Sequence, residues 1–192
     1  MQTRHKQIRA PMLRLPARRR DVTHMHPQAR RGFHRAAEAA QIDLTTPMKV
    51  LDMGGQDVNG TVHDLMPNAT IDVLDIKPGR GVTIVADART WRGNTDYDLV
   101  ISTELLEHLP AWHQALTTAH HALRPDGVLI ITAASTGRGP HGANGEVLPP
   151  PGEHYENVAP AELATALHPL FTSYGIEYLP RPADVYAWAR RS

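Results

Sequence analysis

The sequence predicts an α/β protein with a doubly wound, mostly parallel sheet and helices on both faces. Several short apolar segments lack polar alternation, which indicates strands that are covered on both sides. Helical patterns alternate with these segments, as they do in doubly wound folds. The chain has 192 residues, 41% of them hydrophobic, which suits one domain with a sizeable core. We therefore predict a single folded unit over residues 28–192.

The elements follow in order along the chain. A helix is predicted from Gln28 to Gln41, where Phe33 and Ala36 begin an apolar face. Apolar runs that end in acids or turn residues predict five strands, at residues 49–53, 69–76, 81–87, 97–102 and 128–133. Further helices are predicted at 110–123 and 160–167, and a closing pair of strands at 171–178 and 185–189. Five glycines and four prolines within residues 137–153 predict a long, functional or mobile loop.

Charge is distributed unevenly along the chain. Residues 1–35 carry ten Lys or Arg residues and one acidic residue, although the whole chain is formally neutral. We interpret residues 1–27 as a basic, disordered leader; an arm for an anionic partner such as nucleic acid and a transit-type peptide remain alternatives. The absence of cysteine excludes disulfides and thiolate nucleophiles, and no apolar run is long enough to span a bilayer. The expectation is a soluble, cytoplasmic protein without membrane contact.

Acids close three successive strands of the predicted sheet. Asp52, Asp75 and Asp87 stand where ligands bind in open parallel sheets, and a carboxylate after the second strand suits a ribose. Gly54 and Gly55 allow a ligand to approach the backbone. The dinucleotide fingerprint GxGxxG is absent, and Asp57, expected near the start of a following helix, would repel a pyrophosphate. A phosphate-free adenosine that carries a sulfonium therefore fits better than NAD.

These segments resemble the motifs of class I S-adenosylmethionine-dependent methyltransferases over about residues 28–190. VLDMGG at 50–55 resembles the first motif, LDI at 74–76 the ribose-binding acid, and ADA at 86–88 the adenine segment. The stretches 97–110 and 123–131 are similar to the fourth motif and to the lead into strand five. In the first motif, Gln56 and Val58 replace the usual later glycines. The resemblance implies seven strands, the last antiparallel, and a cofactor site formed by Asp52, Gly54, Gly55, Gln56, Asp75, Ile76, Asp87, Ala88, Ser102 and Thr103.

An ExxEH string follows the fourth strand. On a helical turn Glu104, Glu107 and His108 would share one face, where two carboxylates and an imidazole could bind magnesium, manganese or zinc. The string resembles the metal-binding motif of small-RNA 2′-O-methyltransferases and of a ubiquinone-pathway O-methyltransferase. That resemblance adds His141 as a fourth ligand, with His154 in reserve. Without metal, His108 or His141 could act as a general base.

The combined prediction is a methyltransferase that acts on a small-molecule or saccharide-like acceptor. Oxygen is favoured over nitrogen as the acceptor atom, with or without the help of a divalent metal. The candidate catalytic residues are His108, His141 and Tyr155, the last from a segment that resembles the acceptor-facing stretch after strand five. Two alternatives stay open: a nucleic-acid ribose methyltransferase that uses the basic arm, and an inactive S-adenosylmethionine-binding module. The sequence leaves the oligomeric state undetermined.

Overall fold

The structure, a computed structural model, describes residues 27–192. The helices are α1 (Pro27–Ala39), α2 (His113–Ala122) and α3 (Pro160–Leu167). The strands are β1 (Lys49–Met53), β2 (Thr70–Asp75), β3 (Ile84–Val85), β4 (Tyr97–Thr103), β5 (Leu123–Ala134), β6 (Ser173–Leu179) and β7 (Asp184–Arg190). Two short 3-10 helices cover His63–Leu65 and Leu106–His108.

One sheet of seven strands organises the fold, in the order β3-β2-β1-β4-β5-β7-β6. Strands β1 to β5 are parallel, whereas β7 runs antiparallel to both β5 and β6. This confirms the predicted α/β fold class, including an antiparallel last strand. The order reverses direction at β1, which lies between β2 and β4, and ligands of open α/β sheets bind at such a reversal.

Both faces of the sheet are covered by helices. Helix α1 packs Phe33 and its alanines against Val50, Leu99 and Ile130 of the central strands. On the opposite face, Leu116 of α2 and Leu163 of α3 pack against residues such as Leu129. Burial on both faces explains why the central strands are continuously apolar.

Several local expectations are wrong. The fifth strand, predicted at 128–133, runs from Leu123 to Ala134. The third strand shrinks from the predicted 81–87 to Ile84–Val85, because this edge strand pairs only with Leu74 and Asp75. The helix expected after the first motif is absent: between β1 and β2 the chain forms only the 3-10 helix His63–Leu65. The turn that was expected to carry the whole ExxEH string begins at Leu106.

The predicted leader, residues 1–27, lies outside the described residues apart from Pro27, which is the first residue of α1. None of the helices in residues 27–192 is long and apolar enough to cross a membrane.

Gly32 offers a test of the contact between α1 and the sheet. A Cβ at Gly32 would overlap the ring of Tyr186, which is 2% exposed on β7. Alanine has a better helix propensity than glycine. We nevertheless expect Gly32→Ala to lower the free energy of unfolding by about 1–2 kcal/mol, because a packed core resists added volume. Thermal unfolding should show a melting temperature lower by several degrees. Gly139→Ala is the matched control, since no described residue beyond its two chain neighbours has an atom within 4 Å of a Cβ built there. Equal melting temperatures for the two variants would contradict the packing described.

Candidate active site

A cleft of about 450 Å³ opens at the carboxyl ends of β1, β2 and β4. Its walls are the loop 54–61 after β1, the turn 75–77 after β2, the segment 103–109 after β4 and the long loop 138–153 after β5. The cleft therefore forms where the topology predicts a ligand site. Seven of the ten candidate cofactor residues line it: Asp52, Gly54, Gly55, Gln56, Asp75, Ile76 and Thr103.

Asp52 closes β1 at the floor of the cleft and is 2% exposed. Its Oδ2 lies 2.7 Å from Nε2 of His63, and its Oδ1 has no hydrogen-bond partner among residues 27–192. Burial raises the pKa of Asp52, and the hydrogen bond with His63 opposes that shift. The adjoining Gly54 has a φ of 76°, a left-handed conformation that glycine adopts without strain.

Asp75 closes β2 on the next wall of the cleft. Its two carboxylate oxygens accept hydrogen bonds from the backbone N–H groups of Gln56 (3.3 Å) and Lys77 (3.2 Å). These bonds fix the carboxylate and leave lone pairs that can accept from ligand hydroxyls. Ile76 is 59% exposed beside it and offers an apolar surface at the same wall.

The other three candidate cofactor residues do not line the cleft. The Asp87 carboxylate is paired with the guanidinium of Arg89, which lowers the pKa of Asp87. Ala88 is a core residue, and Ser102 is buried, with an Oγ that has no hydrogen-bond partner in the part of the chain that the structure describes. Their roles as cofactor contacts remain predictions.

The candidate catalytic residues meet beside the segments that follow β4 and β5, where His108 and His141 line the cleft. One ligand atom from each of Glu107, His108 and His141 lies within 4.8 Å of the other two. The ring of Tyr155 packs edge-on against both imidazoles, with centroids 5.5 Å from His108 and 4.9 Å from His141. Glu107 and His141 are 34 positions apart in the sequence, and they meet because the loop after β5 folds back over the end of β4.

Electrostatics in this cluster is dominated by burial. Burial and the neighbouring charge of Glu104 raise the pKa of Glu107 well above its usual range. Its Oε1 accepts a hydrogen bond from the backbone N–H of Ala134 (3.0 Å), while Oε2 is buried and has no hydrogen-bond partner among the described residues. Burial and the adjacent His141 lower the pKa of His108, so its imidazole is neutral at pH 7. Burial also raises the pKa of Tyr155 to about 12, which keeps its hydroxyl protonated.

Glu104 is placed differently from the prediction. It precedes the 3-10 turn, has a φ of 53°, and does not share a helical face with Glu107 and His108. Its Oε1 accepts a hydrogen bond from Oγ1 of Thr132 (2.9 Å), and this bond directs the carboxylate of Glu104 toward β5. Burial and the charge of Asp184 raise the pKa of Glu104 to about 7. It lines the cleft beside the cluster of Glu107, His108 and His141, but it is not a member of that cluster.

Comparison with known proteins identifies the family. A methyltransferase domain family matches residues 17–175, which is most of the chain. The chain belongs to the class I S-adenosylmethionine-dependent methyltransferases. No curated protein matches the sequence significantly.

Solved methyltransferases share the fold at low sequence identity. The 1,6-didemethyltoxoflavin N1-methyltransferase of Burkholderia thailandensis, solved with S-adenosylhomocysteine, is 18% identical with a TM-score of 0.64, covering 86% of this chain and 79% of that one. An O-methyltransferase family protein from the same organism is 14% identical (TM-score 0.58; 86% and 57% covered). The CurJ carbon methyltransferase is also 14% identical (TM-score 0.56; 83% and 52% covered). These neighbours differ in the atom that they methylate, so the fold alone does not select the acceptor.

The structure adds residues to this methyltransferase cleft that sequence reasoning missed. His63 contacts Asp52, Arg138 lines the cleft while it pairs with the buried Asp184, and Glu153 lies 3.6 Å from Nδ1 of His108. Lys77 lines the wall next to Asp75. These residues stand outside the motifs, so no spacing pattern in the sequence indicated them.

Glu104 gives a prediction on pH dependence. It titrates near pH 7 in the folded enzyme but near 4.5 in the unfolded chain. The folded state therefore retains a proton that the unfolded chain releases, and the associated stability, full below about pH 4.5, is lost as the pH rises toward 7. Glu104→Gln removes this titration and keeps an acceptor for Thr132. Between pH 5 and pH 8, we expect the free energy of unfolding of the variant to increase by about 1–3 kcal/mol relative to that of the wild type.

Scanning calorimetry in the presence of a chelator measures this difference directly. Glu38→Gln, at an exposed position on α1, is the control and should follow the wild type at every pH. Curves for wild type and Glu104→Gln that stay parallel across the range would contradict the assigned titration.

Proposed function

We propose that this methyltransferase transfers the methyl group of S-adenosylmethionine to a hydroxyl oxygen of a small-molecule or saccharide-like acceptor, with the help of a divalent metal. The observation that carries this proposal is the position of Glu107, His108 and His141. Their ligand atoms lie within 4.8 Å of one another, and His108 and His141 line the cleft from the side of β4 and β5, whereas Asp75 lines it from the β2 side of β1. A cofactor and an acceptor can thus occupy the two ends of one cleft.

The cofactor end has the groups that an adenosyl sulfonium requires. Asp75, held by two backbone N–H groups, accepts hydrogen bonds from the ribose hydroxyls. Ile76 covers an aromatic base, and Asp52 with Gly54 and Gly55 receives the methionine end. The walls that line this end offer no helix N-terminus to a pyrophosphate, since only the 3-10 helix His63–Leu65 follows the glycine loop.

The acceptor end fits a divalent cation by the chemistry of its donor set. One carboxylate and two imidazoles suit zinc or manganese better than magnesium, which prefers oxygen ligands. Within residues 27–192, the buried Oε2 of Glu107 and Nδ1 of His108 have no hydrogen-bond partner. A cation at this position would also favour ionised Glu107, which burial otherwise opposes. When bound, such a cation lowers the pKa of an acceptor hydroxyl and fixes its orientation.

The protein's own residues perform the remaining work. Methyl transfer is an in-line displacement, so alignment of oxygen, methyl carbon and sulfur is the main requirement. Where no cation is bound, neutral His108 can accept the hydroxyl proton at its unprotonated imidazole nitrogen near pH 7. Tyr155, whose hydroxyl donates to Oδ1 of Asn157 (3.0 Å), holds both imidazoles in place through its ring. The carbonyl of Gly139 lies 3.2 Å from Nδ1 of His141 and orients that ring.

The alternative of a nucleic-acid acceptor depends on the basic N-terminal residues, which lie outside the described part of the chain. The cleft itself supports the small-molecule acceptor, because its walls at this end are formed by Glu104, Glu153 and the loop 138–145, with Arg138 already paired to Asp184.

Asp75 tests the cofactor end. We expect Asp75→Asn to weaken the affinity for S-adenosylhomocysteine by about 10–100-fold, because hydrogen bonds to a charged group contribute about 1.5–3 kcal/mol. Isothermal titration calorimetry measures the change. Asp72→Asn is the matched control on the same strand, since Asp72 accepts from the hydroxyl of Tyr97 and does not line the cleft. Equal losses in both variants, or tighter binding of NAD than of S-adenosylhomocysteine by the wild type, would refute this assignment.

His141 tests the metal end. We expect manganese(II) to bind the wild type at about one ion per chain in electron paramagnetic resonance titrations, and His141→Ala to lose this binding. His34→Ala, at an exposed position on α1, should retain it. Affinity for S-adenosylhomocysteine should stay within about twofold in both variants, because His141 lies at the acceptor end.

Transfer of a radiolabelled methyl group completes this test. With a panel of small phenols and saccharides beside their amine counterparts, we expect manganese-dependent methylation of hydroxyls, lost in His141→Ala. Manganese binding that persists in His141→Ala would exclude the assigned ligands. Methylation of amines alone would exclude the hydroxyl acceptor while leaving the cofactor end intact.

A further inference from the structure

His63 pairs with Asp52, and the proposed reaction gives His63 no role of its own. His63 begins the short 3-10 helix after the glycine loop, and its Nε2 lies 2.7 Å from Oδ2 of Asp52. The His63 side chain is 26% exposed, whereas that of Asp52 is 3% exposed. Since an ionised carboxylate only accepts hydrogen bonds, the imidazole N–H donates to Oδ2. The contact joins two segments that are eleven residues apart, across the base of the cleft.

The second oxygen of Asp52 remains unpartnered. Oδ1 is buried and accepts no hydrogen bond from the described residues, although Asp52 lines the cleft. Buried polar groups are nearly always hydrogen-bonded in native proteins, so such an orphan acceptor indicates a ligand donor. Oδ1 therefore faces the site at which the ligand's donor group should lie.

Gly55 restricts the same carboxylate from the other side. A Cβ at Gly55 would overlap the carboxylate of Asp52, so only glycine lets the loop close to this distance. Between the backbone of Gly55 and the imidazole of His63, the carboxylate has little freedom to rotate. Its orientation is set before any ligand arrives, which reduces the entropy lost on binding.

We propose that His63 is a positioning residue that directs Oδ1 of Asp52 to the cationic amino group at the methionine end of the cofactor. This inference rests on the proposed function, because it takes the cleft as the S-adenosylmethionine site. The chemistry that Asp52 recognises is an alkylammonium: a donor with a positive charge, which a buried carboxylate with one free oxygen binds by a charge-assisted hydrogen bond. The hydrogen bond from His63 also favours the ionised carboxylate that this contact needs, against the effect of burial.

Two ligands separate positioning from a merely structural role. S-Adenosylhomocysteine carries the amino group, whereas 5′-methylthioadenosine has the same adenosine and thioether but no amino-acid portion. We expect His63→Ala to weaken the affinity for S-adenosylhomocysteine about tenfold, or about 1.4 kcal/mol, and to change the affinity for 5′-methylthioadenosine by less than twofold. His63→Gln, whose amide N–H can still donate to Oδ2, should recover most of the lost affinity. Calorimetric titration of both ligands into each variant provides the measurement, with thermal melts to confirm folding.

Asp52→Asn and the control His34→Ala complete the experiment. We expect Asp52→Asn to show the same ligand-selective loss, and the double variant with His63→Ala to lose little more, because the two residues act through one contact. Equal weakening of both ligands in His63→Ala, or no recovery in His63→Gln, would overturn the positioning role. Loss in Asp75→Asn without loss in Asp52→Asn would overturn this inference and leave the cofactor site standing. Failure of the wild type to bind either ligand would overturn the proposed function itself.

Discussion

The pairing of β1 with a parallel strand on each side is the constraint on which the site depends. Asp52 stands opposite Val73 of β2 and Ile101 of β4, so three strands end at the same edge. Hydrogen bonds continue this pairing past the strand ends: Gly54 N–H donates to the carbonyl of Leu74 (2.7 Å), and Glu104 N–H to that of Thr132 (2.8 Å). A slip of one residue would turn Asp52 to the other face of the sheet and remove the floor of the cleft.

This edge of the sheet carries a cost in stability. Six buried side-chain atoms of the described residues have no hydrogen-bond partner. Five of them lie at the strand ends and loops of this edge, and they belong to Asp52, Ser102, Glu107, His108 and His154. The sixth, Oε1 of Gln28, lies elsewhere. Each such group costs about 1–3 kcal/mol when nothing satisfies it. The apolar core, in contrast, is closely packed, with Val50 and Leu129 fully buried. The body of the sheet thus stabilises the fold, whereas the unpartnered polar atoms at this edge destabilise it. A bound ligand can offset that loss.

The elements that the sequence predicts well are those that burial alone determines. The bounds of β1 and α3 match the expected 49–53 and 160–167, because apolar periodicity and a following turn define them fully. The convergence of His108 with His141 and Tyr155 was anticipated only through a family resemblance. No sequence pattern indicated the left-handed backbone of Glu104 or the contact between His63 and Asp52, because both depend on loop geometry that periodicity does not encode. Pattern therefore predicts the scaffold and the strand-end acids, and only the structure assigns their partners.

The same buried acids bear on the choice between oxygen and nitrogen. The charge of Asp184 raises the pKa of both Glu104 and Glu107, and Glu104 raises that of Glu107 further, so together these acids favour any nearby cation. An amine acceptor at this end of the cleft would be held as its ammonium form, which has no lone pair to attack the methyl group. A hydroxyl stays neutral in the same field and keeps its nucleophilic electrons. If a divalent cation occupies the cluster instead, it screens the acids and binds oxygen directly. Under the proposed function, both states of the cluster therefore disfavour an aliphatic amine, and this asymmetry is the physical argument for proposing oxygen as the acceptor atom.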